Sequence, residues 1–135
     1  MSPIFGKLNL KGQQEILVLN SPDTFEKEIS ALRDVKVFRR LEDVKSLLFA
    51  LAFVTRRAEV NRLSKALSKK ETGDILLWFA YPKGTSKNYS CDFNRNDGWE
   101  LLRKFGFDTV RQIAIDEDWS ALRFRRIEFI KRPNR

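Results

Sequence analysis

The stretch that most constrains this chain is the apolar run Ile75-Leu-Leu-Trp-Phe-Ala-Tyr81. Gly73-Asp74 bounds it in front and Pro82-Lys83-Gly84 behind. It is short, rich in aromatics and shows no polar alternation, which predicts a strand covered on both faces. Such strands lie in the middle of parallel α/β sheets, and those sheets bind ligands outside the carboxyl ends of their strands. The loop Pro82-Lys-Gly-Thr-Ser86 is expected at that end.

A parallel sheet needs crossover helices, and 135 residues accommodate one such domain, 1–135, with a real core. With 42% hydrophobic and 33% charged residues the chain reads as globular, not disordered. Its apolar runs are too short to span a bilayer, so no membrane segment is expected. Met1-Ser-Pro-Ile-Phe-Gly6 has no secretion-signal pattern, and a single cysteine, Cys91, excludes an internal disulfide. A reducing cytoplasm is the expected compartment. The 26 Lys and Arg against 18 Asp and Glu leave +8, a field that attracts anions. There is no histidine. That removes the commonest general base, the Ser-His and Cys-His pairs and most zinc sites, and no metal or cofactor is expected.

Taken in order, Glu15–Asn20 reads as a first strand, followed by an N-capping Ser21 and a helix over roughly 22–32 with Phe25, Ile29 and Leu32 inward. Lys36–Phe38 is a short strand, Leu41–Val44 a turn of helix and Leu47–Val54 a second doubly buried strand. Thr55 is expected to cap a helix to about Lys69, and Asn94-Arg-Asn-Asp97 to open another that closes at Gly106. Thr109–Ile115 and Ala121–Ile130 predict an antiparallel hairpin around Asp116-Glu-Asp-Trp-Ser120. Leu122 and Phe124 alternate in one phase and Ile127 and Phe129 in the other, which predicts a bulge at Arg125-Arg126.

With right-handed crossovers the expected fold is α/β: a Rossmann-like three-layer sandwich, its sheet mostly parallel with a C-terminal antiparallel hairpin. That order resembles the class I methyltransferase architecture. More closely, Leu17-Val-Leu-Asn20 with Ser21-Pro22, Pro82-Lys83, Gly106-Phe107, and Asp116-Glu-Asp-Trp-Ser120 with Arg123-Phe124 are similar to a group of short bacterial proteins, the domain-of-unknown-function family three-zero-five-two. The resemblance spans nearly the whole chain and implies a compact methyltransferase-like fold without an assigned activity. The chain departs from active methyltransferases at two places. Asn20-Ser-Pro-Asp-Thr24 replaces the Gly-rich turn that lets backbone approach the cofactor, and Arg39-Arg40 stand where an acidic residue would hold ribose hydroxyls. S-adenosylmethionine-dependent transfer is therefore disfavoured.

The candidate ligand-binding residues are Asn20 and Ser21, Lys83, Gly84, Thr85 and Ser86, and Trp119 and Ser120. Asn20-Ser21 would offer a helix N-terminus, and Lys83–Ser86 an ammonium and hydroxyls, to an anion; each reads equally as a plain cap or turn. Asp116 and Asp118 are candidate acid–base groups with Lys83 as anion stabiliser. Three successive acids cannot all face one ion, so a metal site is not favoured over a solvated hairpin. Cys91 has no histidine to activate it. Arg123, Arg125, Arg126, Lys131 and Arg132 form the densest basic segment and a candidate nucleic-acid face, although arginines on an edge strand also deter edge pairing.

The leading expectation is a non-catalytic, degenerate methyltransferase-like module. It would bind a small anionic ligand or a protein partner at the carboxyl-end crevice. The competing class is a histidine-free enzyme acting on a small phosphorylated or nucleoside-type substrate. A third is a nucleic-acid binder working through the basic C-terminal face.

Overall fold

The structure, a computed structural model, describes residues 3–70 and 73–130. Its elements are α1 (Pro3–Lys7), β1 (Glu15–Leu19), a 3-10 turn (Asp23–Phe25) running into α2 (Glu26–Ser30), and β2 (Lys36–Phe38). Then come β3 (Phe49–Phe53), α3 (Arg57–Lys70), β4 (Leu76–Pro82), α4 (Glu100–Lys104), β5 (Phe107–Ala114) and β6 (Trp119–Arg126). The strands form one six-stranded sheet in the order β2-β1-β3-β4-β6-β5. β1 through β4 are mutually parallel, and β6 lies antiparallel between β4 and β5.

β4 shows why the apolar run had to be central. Leu77, Phe79 and Tyr81 point into a cluster with Val60, Leu63 and Leu67 of α3 and Leu102 of α4. Trp78 and Ala80 point the other way, into a cluster with Ile4 and Phe5 of α1 and Ile29 of α2. Each face of the strand is thus roofed by helices, and every second residue serves a different core. Trp78 is fully buried, and its indole N–H donates to the Leu8 carbonyl at 2.9 Å. That bond fixes the chain just after α1 against the middle of the sheet.

Several boundaries differ from those read in the sequence. α1 was not anticipated, because its apolar residues Ile4, Phe5 and Leu8 span barely one turn and give no periodicity. Asn94–Asp97 does not open a helix. Its ends exchange backbone hydrogen bonds in a tight turn, and α4 begins only at Glu100. Gly106 does end α4, with φ of 93° that favours glycine.

The hairpin is corrected most. β6 starts at Trp119, which moves Trp119 and Ser120 out of the loop and into the strand, and it ends at Arg126. Ile127–Phe129 form a 3-10 turn, with Ile127 and Phe129 both exposed. The change of phase is therefore the end of the strand, not a bulge within it. The register shift lies on the partner strand, between Thr109 and Arg111 of β5.

Candidate functional site

The connection from β1 runs to β2 on one side and that from β3 to β4 on the other, so the chain departs in opposite directions from the carboxyl ends of these neighbouring strands. Crevices form at such switch points in open α/β sheets. Here a cavity of about 590 Å³ opens between Asn20–Thr24, after β1, and Phe53–Thr55, after β3. Tyr89, Trp119 and Glu59 also line it.

Asn20 makes the turn out of β1 with φ of 58°, a left-handed conformation that asparagine tolerates better than most residues. Its side-chain amide lies 3.5 Å from the Phe53 carbonyl. Ser21 does not cap the helix that follows. Its hydroxyl donates to Glu26, which Arg39 grips through two further bonds of 2.9 and 2.8 Å. The guanidinium of Arg39, and then the Ser21 hydroxyl, pull the Glu26 pKa down to about 2.

In the crevice Glu59 turns back on its own helix. It accepts the Thr55 and Arg56 amides at 2.9 and 3.1 Å, while Asp92 accepts the Arg57 amide at 2.6 Å. Two carboxylates thus occupy the N-terminus of α3. Among the described residues no Lys or Arg lines the crevice, and its acidic residues are Asp23 and Glu59.

Trp119 dominates the wall. Its ring centroid lies 5.1 Å from Phe53, edge-on, and 4.9 Å from Tyr89. The residue is buried, and its indole nitrogen has no hydrogen-bond partner among the described residues.

The residues singled out in the sequence divide between two places. Asn20, Ser21 and Trp119 line the switch-point crevice. Lys83, Gly84, Thr85 and Ser120 line a separate hollow of about 420 Å³ over β4 and β6, together with Arg95 and Gln112. Ser86 belongs to neither, because its hydroxyl donates to Asp118 at 2.8 Å.

The candidate acids are tied up in structure. Asp116 accepts the amides of Asp118 and Trp119, and Asp118 binds Ser86 and the Asn88 side chain. Among the described residues no group of three or more Asp, Glu, Cys or His is placed to hold a metal ion. Burial pushes the Cys91 thiol pKa up, away from a reactive thiolate.

The basic C-terminal strand is folded onto the protein. Arg125 forms a two-pronged pair with Asp74, and Arg126 lies 4.5 Å over the Phe107 ring and donates to the Ser68 carbonyl. Arg123 is half-buried, and burial first, then Arg125, lowers its pKa. Lys131 and Arg132 lie outside the described residues.

Phe53, Glu59, Tyr89, Arg95 and Gln112 carry no signal in the sequence that marks them as site residues. Tyr89 and Arg95 sit in the long connection after β4, where no motif points to them. Among the described residues no helix is long and apolar enough to cross a membrane.

No protein-family model and no curated protein matches this chain. Among solved structures it is similar to a protein of Sulfolobus solfataricus described as a type 11 methyltransferase, at 7% identity and a TM-score of 0.50. The match covers 84% of each chain. At that identity the likeness is one of fold, a Rossmann-like mixed sheet, and carries nothing about chemistry.

Proposed function

We propose that this chain is a non-catalytic, degenerate methyltransferase-like module that binds a small ligand at the carboxyl-end crevice of its sheet. Trp119 is the observation that supports this reading. A buried indole N–H without an acceptor costs about 1–3 kcal/mol, and such a group calls for an acceptor from a bound water or a ligand. With Tyr89 and Phe53 beside it, the wall suits an uncharged ring. The absence of Lys and Arg from the lining, beside Asp23 and Glu59, argues against an anion in this part of the crevice.

Degeneracy rests on two substitutions of chemistry. Asn20-Ser-Pro-Asp-Thr24 contains no glycine, so side chains stand where a cofactor would need bare backbone. Beyond β2 stands Arg39, and Glu26 is held by it rather than free for ribose hydroxyls. The candidate bases Asp116 and Asp118, and Glu59 in the crevice, spend their carboxylates on backbone amides and neighbouring side chains. Membership of family three-zero-five-two belongs to the same proposal and rests on the residues quoted for the resemblance.

Calorimetric titration with adenosine, S-adenosylmethionine and S-adenosylhomocysteine tests this reading, with thermal shift alongside. A ligand at about a hundred times its dissociation constant stabilises the fold by about 2.7 kcal/mol. Binding that disappears in Trp119→Ala, while the variant stays folded, supports the crevice. Methyl transfer to any acceptor would overturn the non-catalytic reading. Protein capture with no small-molecule response would transfer the role to a partner.

A further inference from the structure

Lys83 and Arg95 meet at the hollow over β4 and β6, and neither makes an ion pair among the described residues. Carboxylates near them in sequence or in space are engaged elsewhere: Asp97 by Arg57, Asp92 by the Arg57 amide, and Asp118, which receives the Lys83 amide on its carbonyl, by Ser86 and Asn88. Among the described residues no Asp or Glu lines the hollow. Two cations therefore face it without a protein counter-charge.

The floor adds buried donors. Ser120 is 7% exposed and lines the hollow. Tyr81, 5% exposed, accepts a hydrogen bond from the Gln112 side chain at 3.3 Å, which leaves its own O–H proton to give. Burial pushes the Tyr81 pKa up, so the phenol keeps that proton at neutral pH. Thr85 supplies a further hydroxyl at the rim.

We propose that this hollow is an anion subsite for a phosphoryl group, held between Lys83 and Arg95 and seated on the hydroxyls of Ser120 and Tyr81. Two cations and several hydroxyls, lining one hollow from different elements, suit a tetrahedral oxyanion with oxygens on every side. A planar carboxylate would leave some of those donors unmet. The subsite deepens the reading of the carboxyl end as a ligand site, since it supplies the charge that the switch-point crevice lacks.

Inorganic phosphate, which has no ring, probes this subsite alone. The measurement is a two-dimensional amide NMR titration at constant ionic strength, with acetate in a parallel arm and adenosine in a third. Phosphate is expected to give saturable shifts at Lys83, Thr85, Arg95 and Gln112. Lys83→Ala and Arg95→Ala should each weaken it about tenfold, and Ser120→Ala by a smaller factor. Shifts that survive the Lys83→Ala, Arg95→Ala double variant, or that never saturate, overturn the subsite. Acetate binding as tightly as phosphate overturns the ligand class. Adenosine perturbing Trp119 while phosphate does nothing sinks the subsite and leaves the crevice reading standing. The reverse pattern does the opposite.

Discussion

The Asp118 carboxylate accepts the Ser86 hydroxyl at 2.8 Å and the Asn88 side-chain amide at 3.1 Å. The tip of the β5–β6 hairpin is thereby clamped to the loop that leaves β4. The Lys83 amide reinforces the clamp by donating to the Asp118 carbonyl at 2.8 Å. Ser86 in turn accepts the amide of Tyr89, which lines the crevice.

Asp118→Ala is therefore expected to cost about 1–2 kcal/mol, the range of a hydrogen bond to a partly buried charged acceptor. Urea denaturation reads it directly. In a double-mutant cycle with Ser86→Ala the two losses should not add, because each removes the same bond. Additive losses would show that the Ser86–Asp118 bond contributes nothing.

The Glu26–Arg39 pair gives a pH dependence. Its carboxyl titrates at about 2 when folded and at 4.5 otherwise, so the folded state binds fewer protons between those values. Its contribution is complete above about pH 4.5 and is lost as pH falls toward 2. Both side chains are more than a third exposed, at 46% and 41%, so water screens the pair and the expected loss is under about 1 kcal/mol. Melting temperature followed from pH 5 to pH 2 should fall less steeply in Glu26→Gln than in the parent protein.

Trp78→Ala is expected to damage the fold far more than loss of the clamp or the ion pair, at about 3–5 kcal/mol for a fully buried aromatic. Trp78→Phe separates packing from the hydrogen bond. It keeps most of the ring but leaves the Leu8 carbonyl without its donor. Hydrogen exchange should then rise over Pro3–Lys7 more than over α3. Uniform exchange across both faces would mean that Leu8 is held by packing alone.

Gly98→Ala tests a close approach. A Cβ there would lie 2.7 Å from the Cβ of Phe93, on a backbone with φ of 109°. Strain from clash and conformation together should cost more than about 1 kcal/mol, and Phe93 should move off Tyr81 and Trp99. Near-parental stability would mean that the 93–98 turn rearranges freely. Gly84→Ala meets no atom within 4 Å and serves as the control.

The central strand, the order of parallel strands and helices, and the antiparallel hairpin were legible because each rests on local pattern. Leu77 and Trp78 are both apolar, which requires cover on both faces whatever the cover is. Of the candidate site, Asn20 and Lys83 were read from the carboxyl ends of strands, where such sheets bind ligands, and Trp119 from the Asp116–Ser120 hairpin. Tyr89, Arg95 and Glu59 were not, since nothing in their neighbourhood announces a site. The hairpin misled because Ile127 and Phe129 are apolar yet lie beyond the end of the strand, where alternation no longer implies burial.

The sequence by itself determined that this chain forms a two-faced sheet, that histidine chemistry is closed to it, and that a glycine-lined cofactor turn is missing. Those follow from residue identity and spacing over a few neighbours. Only the tertiary structure decided which charges are free. Asp118 and Lys83 look like partners in catalysis from the sequence, but Ser86 and Asn88 take the carboxylate, and the ammonium shares another hollow with Arg95. Charge pairing depends on distances of a few ångströms between segments far apart in the chain, and no local pattern carries them.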